Sequence, residues 1–540
     1  MADLHAQLEQ LAAARPHDTA LVHGRRDGSG RTVTFAQLVA GCREAAAAFE
    51  RAGVRPGHKA VTMAGDPYHL FTTVHGLLAV GAVPVLVDPG LPRADLRQCL
   101  DEVAPEAFVG QPLAHLGRAA LGWARGHVRT AVVTGAAVPG LRRRLPVPRA
   151  RRGGASAGPP VPEARPSARE PRPPVREALP PVPDDDLALI AFTSGSTGVP
   201  KGAEYHHSTL LGQAETLARL VGTDGTLFAG FLPVVLLGPV LGHTTVAPAV
   251  NHRAPARTPA GRLVRPLLEN RTDVVVGSPA VLGLLAEHCA RRRLTLSSVD
   301  RVISFGAPLR ATLADALHAV LRPDAEVLSA YGATECLPVS AVSTADARSP
   351  GAGTCVGRPL DGVAVRILDA GPDGVGEIAV TGANVSPAYH ARPEITAATK
   401  TTTDRGVQHR TGDMGVVDGE GRIWFHGRRS HRVIGTDHVL TTEDVEAAAD
   451  TLPGVRRTAL VGVGAPGRQR AVLCVELTAR GAGRGAAVEA VRELLARRPE
   501  GRHVTAVLVH PGFPTDIRHN SKINRERLAD WAARRLRRPR

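Results

Sequence analysis

A large α/β fold with covered sheets is predicted by three features of the chain: its length, an alternation of short β-branched runs with helical stretches, and small-residue loops that follow those runs. At 540 residues it exceeds what one hydrophobic core can serve, so two or more domains are expected. Hydrophobic residues make up 43% and aromatics 3%, so the core must rest on Val, Leu and Ala. The first strand-like run is Lys59-Ala-Val-Thr-Met63, followed by a helical stretch from Leu70 to Val80 and a second run, Val83-Pro-Val-Leu-Val87. Leu187 to Phe192 is an unbroken apolar run of the length of a buried strand. Asp273-Val-Val-Val-Gly277 gives way to Ser278-Pro279, an N-cap followed by Pro at the first helical position, and then to an apolar helical stretch reaching Cys289. Arg301-Val-Ile-Ser-Phe305, a helix over Ala311 to Leu321, and Glu326-Val-Leu-Ser-Ala330 repeat the scheme. Between about Pro146 and Pro183 the chain is dense in Pro, Arg, Ala and Gly with almost no large apolar residue, which predicts a disordered insertion.

A net charge of +15 raises the question of a polyanionic partner. The stretch Arg142 to Glu177 holds ten Arg and three Glu, and the tail Arg534 to Arg540 holds five Arg, together carrying +12 of the excess. What remains is close to neutral, so the charge reads as solvated linker and tail and no specific nucleic-acid partner is expected. The six cysteines are scattered and form no CxxC pair, which argues against a zinc site or a disulfide framework. No apolar segment reaches the span of a membrane helix and the start lacks a basic-then-apolar signal pattern, so a cytoplasmic protein without a transmembrane segment is expected.

The loop after the Leu187 to Phe192 run carries the chemistry. Thr193, Ser194, Ser196 and Thr197 alternate with Gly195 and Gly198, so backbone N–H groups can approach an anion unhindered, and Lys201 adds a positive charge. A strand end is where α/β folds bind ligands. The loop is not GxxxxGK[ST], since no Gly-Lys-Ser/Thr occurs in it. As it stands, Ala191-Phe-Thr-Ser-Gly-Ser-Thr-Gly-Val-Pro-Lys-Gly202 resembles the phosphate-binding motif of the adenylate-forming enzymes, which include acyl-CoA synthetases, peptide-synthetase adenylation domains and luciferases.

Further segments resemble that family in the expected order from about Val33 to Leu528. Gly306, Ala307 and Pro308 match the loop beside the adenine. Tyr331-Gly332-Ala-Thr334-Glu335 resembles the adenine and magnesium motif, although alone it could be an ordinary strand-to-helix turn. The resemblance implies that Tyr331 stacks on the base, Thr334 bonds a phosphate, and Glu335 holds Mg2+, with Thr197 of the first loop as a second magnesium residue; a hard oxygen donor suits that ion. Asp413 in Arg410-Thr-Gly-Asp413 and Arg428 in Gly427-Arg428 match the residues that reach the ribose hydroxyls. Lys522 falls at the family's C-terminal lysine, which contacts the substrate carboxylate and the α-phosphate. Only Lys59, Lys201, Lys400 and Lys522 are lysines, so two of four lie where the family uses one. The implied layout is a large N-terminal adenylate-forming domain of covered sheets over 1–429 and a small mobile C-terminal α+β domain over 430–540, with ATP and Mg2+ as cofactors.

Departures from the family point to a branch. Ser430 stands where members pivot on Asp or Lys, Asp437 where thiol-using members keep a glycine, and Phe231-Leu-Pro-Val-Val-Leu-Leu-Gly-Pro-Val-Leu-Gly242 lacks the histidine of the matching acyl-CoA ligase segment. The runs Gly427 to Val433, Tyr331 to Val339 and Phe513 to Ile523 instead resemble the olefin-pathway β-lactone synthetases. That resemblance implies adenylation of a long-chain β-hydroxy fatty acid, then attack of its own hydroxyl on the adenylated carbonyl, with partner enzymes in an olefin or β-lactone pathway. A fatty-acyl-CoA or acyl-AMP ligase is the alternative, and an Arg-rich binding module a remote one. The apolar run Phe228 to Val240 reads equally as an alkyl pocket or as core, and His206 and His207 as bases for the β-hydroxyl or as structural residues.

Overall fold

The computed structural model describes residues 4–24, 30–88, 90–135, 186–193, 199–248, 250, 258–348, 353–478, 483–515 and 523–537. The expected insertion at about 146–183 lies outside the described residues. Two sheets dominate. In the smaller, Val83–Leu86, Lys59–Met63, Ala107–Gly110 and Thr130–Val133 run parallel, Leu187–Phe192 runs parallel beside Val83–Leu86, and Gly202–His206 turns back antiparallel to pair with Ala388–Tyr389. In the larger, Thr226–Gly230, Val274–Gly277, Arg301–Ser304 and Glu326–Ala333 are consecutive parallel neighbours. Cys336–Ser343 then reverses direction and leads into the antiparallel strands Thr354–Pro359, Ile423–Arg428, Gly406–Val417 and Gly376–Gly382.

Helices fill the space between the two sheets. Pro67–Ala79 starts at Asp66, whose side chain accepts from His69 N at 3.0 Å, with Pro67 supplying a fixed φ where its missing N–H costs nothing. It is buried on nearly every face, as a helix covered on both sides must be. Phe35–Ala52 begins with a reciprocal Thr34 and Gln37 capping box and stops at Gly53, whose φ of +91° suits glycine. Leu38, Phe49, Phe71, Leu77 and Leu217 meet in the largest core cluster, and Phe228, Leu282 and Val302 build a second one across the larger sheet.

The strand and helix expectations hold with shifted ends. Ser278 accepts from Val281 N at 3.4 Å and caps the helix Pro279–Arg292. The helix expected to Leu321 stops at His318, shortly before Arg322, which precedes Pro323 and is therefore biased away from helical backbone. The strand expected to end at Ala330 runs on to Ala333, turns at Thr334 and Glu335, and returns as Cys336–Ser343. The Tyr331 motif is therefore a hairpin tip, where the strand-to-helix alternative does not apply.

The C-terminal part has its own sheet of Val455–Val463, Arg470–Leu477 and Val504–Val509, packed on Thr442–Ala449 and Gly483–Arg497 through Val445, Leu460, Leu473 and Val491. Thr354 Oγ1 donates to Glu443 at 2.7 Å and Arg310 pairs with Asp450 at 3.0 Å, tying this part to the larger one. Among the described residues, no helix is long and apolar enough to cross a membrane.

Candidate active site

The loops that follow the parallel strands converge at their C-terminal ends, as expected for an α/β ligand site. Leu187–Phe192 ends at Thr193, whose N–H donates to the Lys201 carbonyl at 2.9 Å while its Oγ1 accepts from Lys201 N at 3.1 Å. These two bonds close the base of the candidate phosphate loop. Ser194, Gly195, Ser196, Thr197 and Gly198 lie outside the described residues, as does Lys522. The chain on either side of the lysine segment is drawn together, with Thr515 bridging to Ile523 and Asn524 N donating to the Pro514 carbonyl at 2.8 Å.

Gly306, Ala307 and Pro308 follow Arg301–Ser304, and Gly306 adopts φ +96°, which a side chain would strain. Gly332 is glycine for a different reason: a Cβ there would stand 2.8 Å from Leu337 Cδ1 and 2.9 Å from the Cys336 carbonyl. Tyr205 O–H donates to the Thr334 carbonyl and so fixes the hairpin tip.

The ribose candidates do come together. Asp413 is buried; its Oδ2 accepts from Tyr331 O–H at 2.7 Å and its Oδ1 lies 2.9 Å from Arg428 Nε. The register explains this, since Asp413 and Arg428 are cross-strand partners on Gly406–Val417 and Ile423–Arg428. The Asp413 charge holds the Arg428 guanidinium above its ordinary pKa, and burial together with Asp413 raises the Tyr331 phenol. The preceding turn is anchored by Glu377, which accepts from Arg410 Nη2 at 2.6 Å, Arg429 Nη1 at 3.0 Å and Gly412 N at 3.1 Å.

Around Glu335 the structure gathers residues that the sequence reading did not identify. Tyr389 O–H donates to Glu335 Oε1, and the ammonium groups of Lys201 and Lys400 lie 5.2 Å and 5.1 Å from the centroid of the Tyr389 ring. Lys400 is buried and donates to the Ser386 carbonyl at 2.6 Å, while Ser386 N donates to the Glu335 carbonyl at 2.8 Å. Burial pushes the Lys400 ammonium down to about 8, against the pull of Glu335. Burial opposes the charge on Glu335, yet His409, the Tyr389 hydroxyl and Lys400 hold its carboxyl below the usual range. His409 is itself pushed down to about 4 by burial and Lys400. No local pattern announces this cage; the rarity of lysine was the only sequence signal for Lys400.

A cavity of about 170 Å3 opens beside the Tyr331 hairpin, touching Gly306, Gly332 and Thr334, with Leu78, Leu86, Leu189 and Leu236 in its mostly apolar wall. The Phe228 to Val240 run divides: Phe231, Leu232, Pro233, Leu236 and Leu237 border the cavity, while Phe228, Val234 and Val240 belong to the core. His206 ends the strand Gly202–His206 and His207 opens the following helix, so both sit at an element junction. Ser430 is exposed in the short turn Arg429–His431, and the exposed Asp437 pairs with His438 at 2.8 Å.

A large N-terminal part of covered sheets and a small C-terminal sheet, with loops gathered at the strand ends, is the architecture of adenylate-forming enzymes. Comparison with known proteins agrees. The AMP-binding enzyme family matches over residues 8–390. Olefin beta-lactone synthetases of Stenotrophomonas maltophilia and Xanthomonas campestris pv. campestris are each 38% identical over 99% of this chain and 98% of their own lengths. The solved amide bond synthetase McbA of Marinactinospora thermotolerans superposes with a TM-score of 0.77 at 22% identity, covering 98% of this chain and 99% of that one. The chain belongs to the AMP-binding enzyme family.

Proposed function

We propose that this protein adenylates a long-chain β-hydroxy fatty acid with ATP and closes the acyl-adenylate to a β-lactone, releasing pyrophosphate and AMP. The observation that carries this reading is the end-to-end likeness to two olefin beta-lactone synthetases, which extends through the C-terminal part. The aliphatic cavity meeting the Thr334 hairpin supports it, because an alkyl chain lying there would bring its carboxylate toward the nucleotide side. We take 1–429 and 430–540 as the two domains, with Lys522 carried to the site by the smaller.

In this reading a substrate carboxylate oxygen attacks the α-phosphorus while Lys522 aligns it. Thr193, Lys201 and the loop through Gly198, with Thr334, hold the phosphates, and Tyr331, Asp413 and Arg428 hold the nucleoside. Glu335, a partly exposed carboxylate already ordered by Tyr389, fits Mg2+, which would supply neutralising charge at the departing pyrophosphate. The substrate hydroxyl then attacks the adenylated carbonyl and AMP leaves; an internal nucleophile needs no thiol entry, in keeping with Asp437 and Ser430.

Incubation with ATP and a β-hydroxy fatty acid, with and without CoA, tests the proposal. It predicts lactone in both reactions. Acyl-CoA formed only when CoA is present, with no lactone in either, would establish the acyl-CoA ligase alternative instead.

A further inference from the structure

The segment in which acyl-CoA ligases carry a histidine is apolar here, yet the structure brings an imidazole to that helix from another part of the chain. His75, on Pro67–Ala79, places Nε2 3.2 Å from the carbonyl of Leu236 in the helix Leu232–Leu237, and it borders the aliphatic cavity. A carbonyl can only accept, so Nε2 carries the hydrogen and Nδ1 is left as a bare acceptor. Among the described residues, Nδ1 has no hydrogen-bond partner. Phe71 stacks on the ring at 4.1 Å between centroids, which holds its orientation. Burial lowers the pKa of His75 to about 4, so the ring is neutral and suits an uncharged donor. Two other polar groups at the cavity are engaged with backbone: Tyr205 O–H with the Thr334 carbonyl, and Gln213 Nε2 with the Leu337 carbonyl at 3.2 Å. His5, also buried, lies 5.7 Å from His75 between ring centroids.

A buried acceptor without a donor is costly. We propose that His75 is a specificity-determining residue whose Nδ1 accepts a hydrogen bond from a hydroxyl group on the acyl substrate. The inference rests on the acyl-adenylation reading above and adds which feature of the acyl chain is recognised. A chain with no hydroxyl leaves Nδ1 desolvated and unpaired, so the site discriminates against it.

The test measures kcat/KM for ATP-dependent pyrophosphate release with three acids of equal chain length: β-hydroxy, terminally hydroxylated and unsubstituted. Wild-type protein is expected to favour one hydroxylated acid, and the isomer favoured locates the hydroxyl. In His75→Leu, the preference over the unsubstituted acid is expected to fall on the order of 10- to 100-fold. His75→Asn, which retains an acceptor, should restore part of it. Each ratio is taken within one protein preparation, so loss of folded protein scales both terms and cancels. A preference unaltered in both variants, or absent from the wild type, overturns the proposal. Lactone chemistry does not enter the readout: a protein that makes acyl-CoA would sink the proposed function and leave the His75 result standing.

Discussion

The two sides of the site are built on opposite principles. On the proposed nucleotide side buried and half-buried carboxylates meet partners: Asp413 has Tyr331 and Arg428, Glu377 has Arg410 and Arg429, and Glu335 has Tyr389 with Lys400 nearby. On the proposed acyl side the wall is mostly apolar, and among the described residues its histidine keeps an unpaired nitrogen. The difference teaches where rigidity and where selectivity reside. Paired charges fix a geometry before ligand arrives, whereas an unpaired group is satisfied only by the right ligand.

That contrast can be broken from the nucleotide side first. Lys522→Ala should depress pyrophosphate release on the order of 100- to 1,000-fold, since alignment of the nucleophile and charge at the α-phosphate are both lost. Normal release would remove Lys522 from the mechanism. Asp413→Asn leaves Arg428 without its counter-charge and should weaken ATP binding roughly 100-fold, about 2.7 kcal/mol, measured by calorimetry. An affinity within twofold of wild type would show that the Asp413 pair does not shape the nucleotide site.

Smaller effects sharpen the comparison. Lys400→Met removes the buried cation near Glu335 and should lower kcat for pyrophosphate release about tenfold, with KM for the acid changing less. An equal loss in the acid KM would place Lys400 on the acyl side. Glu443 offers a contrast away from the site, a carboxyl raised by burial to about 7, with Glu446 adding to the rise. Its folded pKa lies above the unfolded value of 4.5, so its contribution to stability is present below pH 4.5 and is lost as pH rises through 7. The melting temperature of wild type relative to Glu443→Gln should therefore fall between pH 4.5 and 7. A constant difference across that range would contradict the assignment.

Much of this was legible in the sequence, for physical reasons that differ by region. The strands Leu187–Phe192 and Val274–Gly277 announce themselves because covered parallel strands are continuously apolar. Thr193, Tyr331, Asp413 and Arg428 stand in contiguous motifs. Lys400, Tyr389 and His409 do not, because their common neighbour Glu335 lies more than 50 residues away and the contact exists only after strands pair. His75 was equally hidden: within Tyr68-His-Leu-Phe-Thr-Thr-Val-His75 it reads as part of an apolar helix, and only packing against Leu236 fixes its tautomer.

The central claim is that the carboxylate is activated by adenylation and then displaced by the substrate's own hydroxyl. A β-hydroxy acid labelled with 18O in both carboxylate oxygens tests it by mass spectrometry of the products. Attack of the carboxylate on the α-phosphorus followed by ring closure predicts one label in AMP and one in the lactone carbonyl. Unlabelled AMP together with a doubly labelled lactone would mean that the hydroxyl, not the carboxylate, had been activated, and would contradict the account.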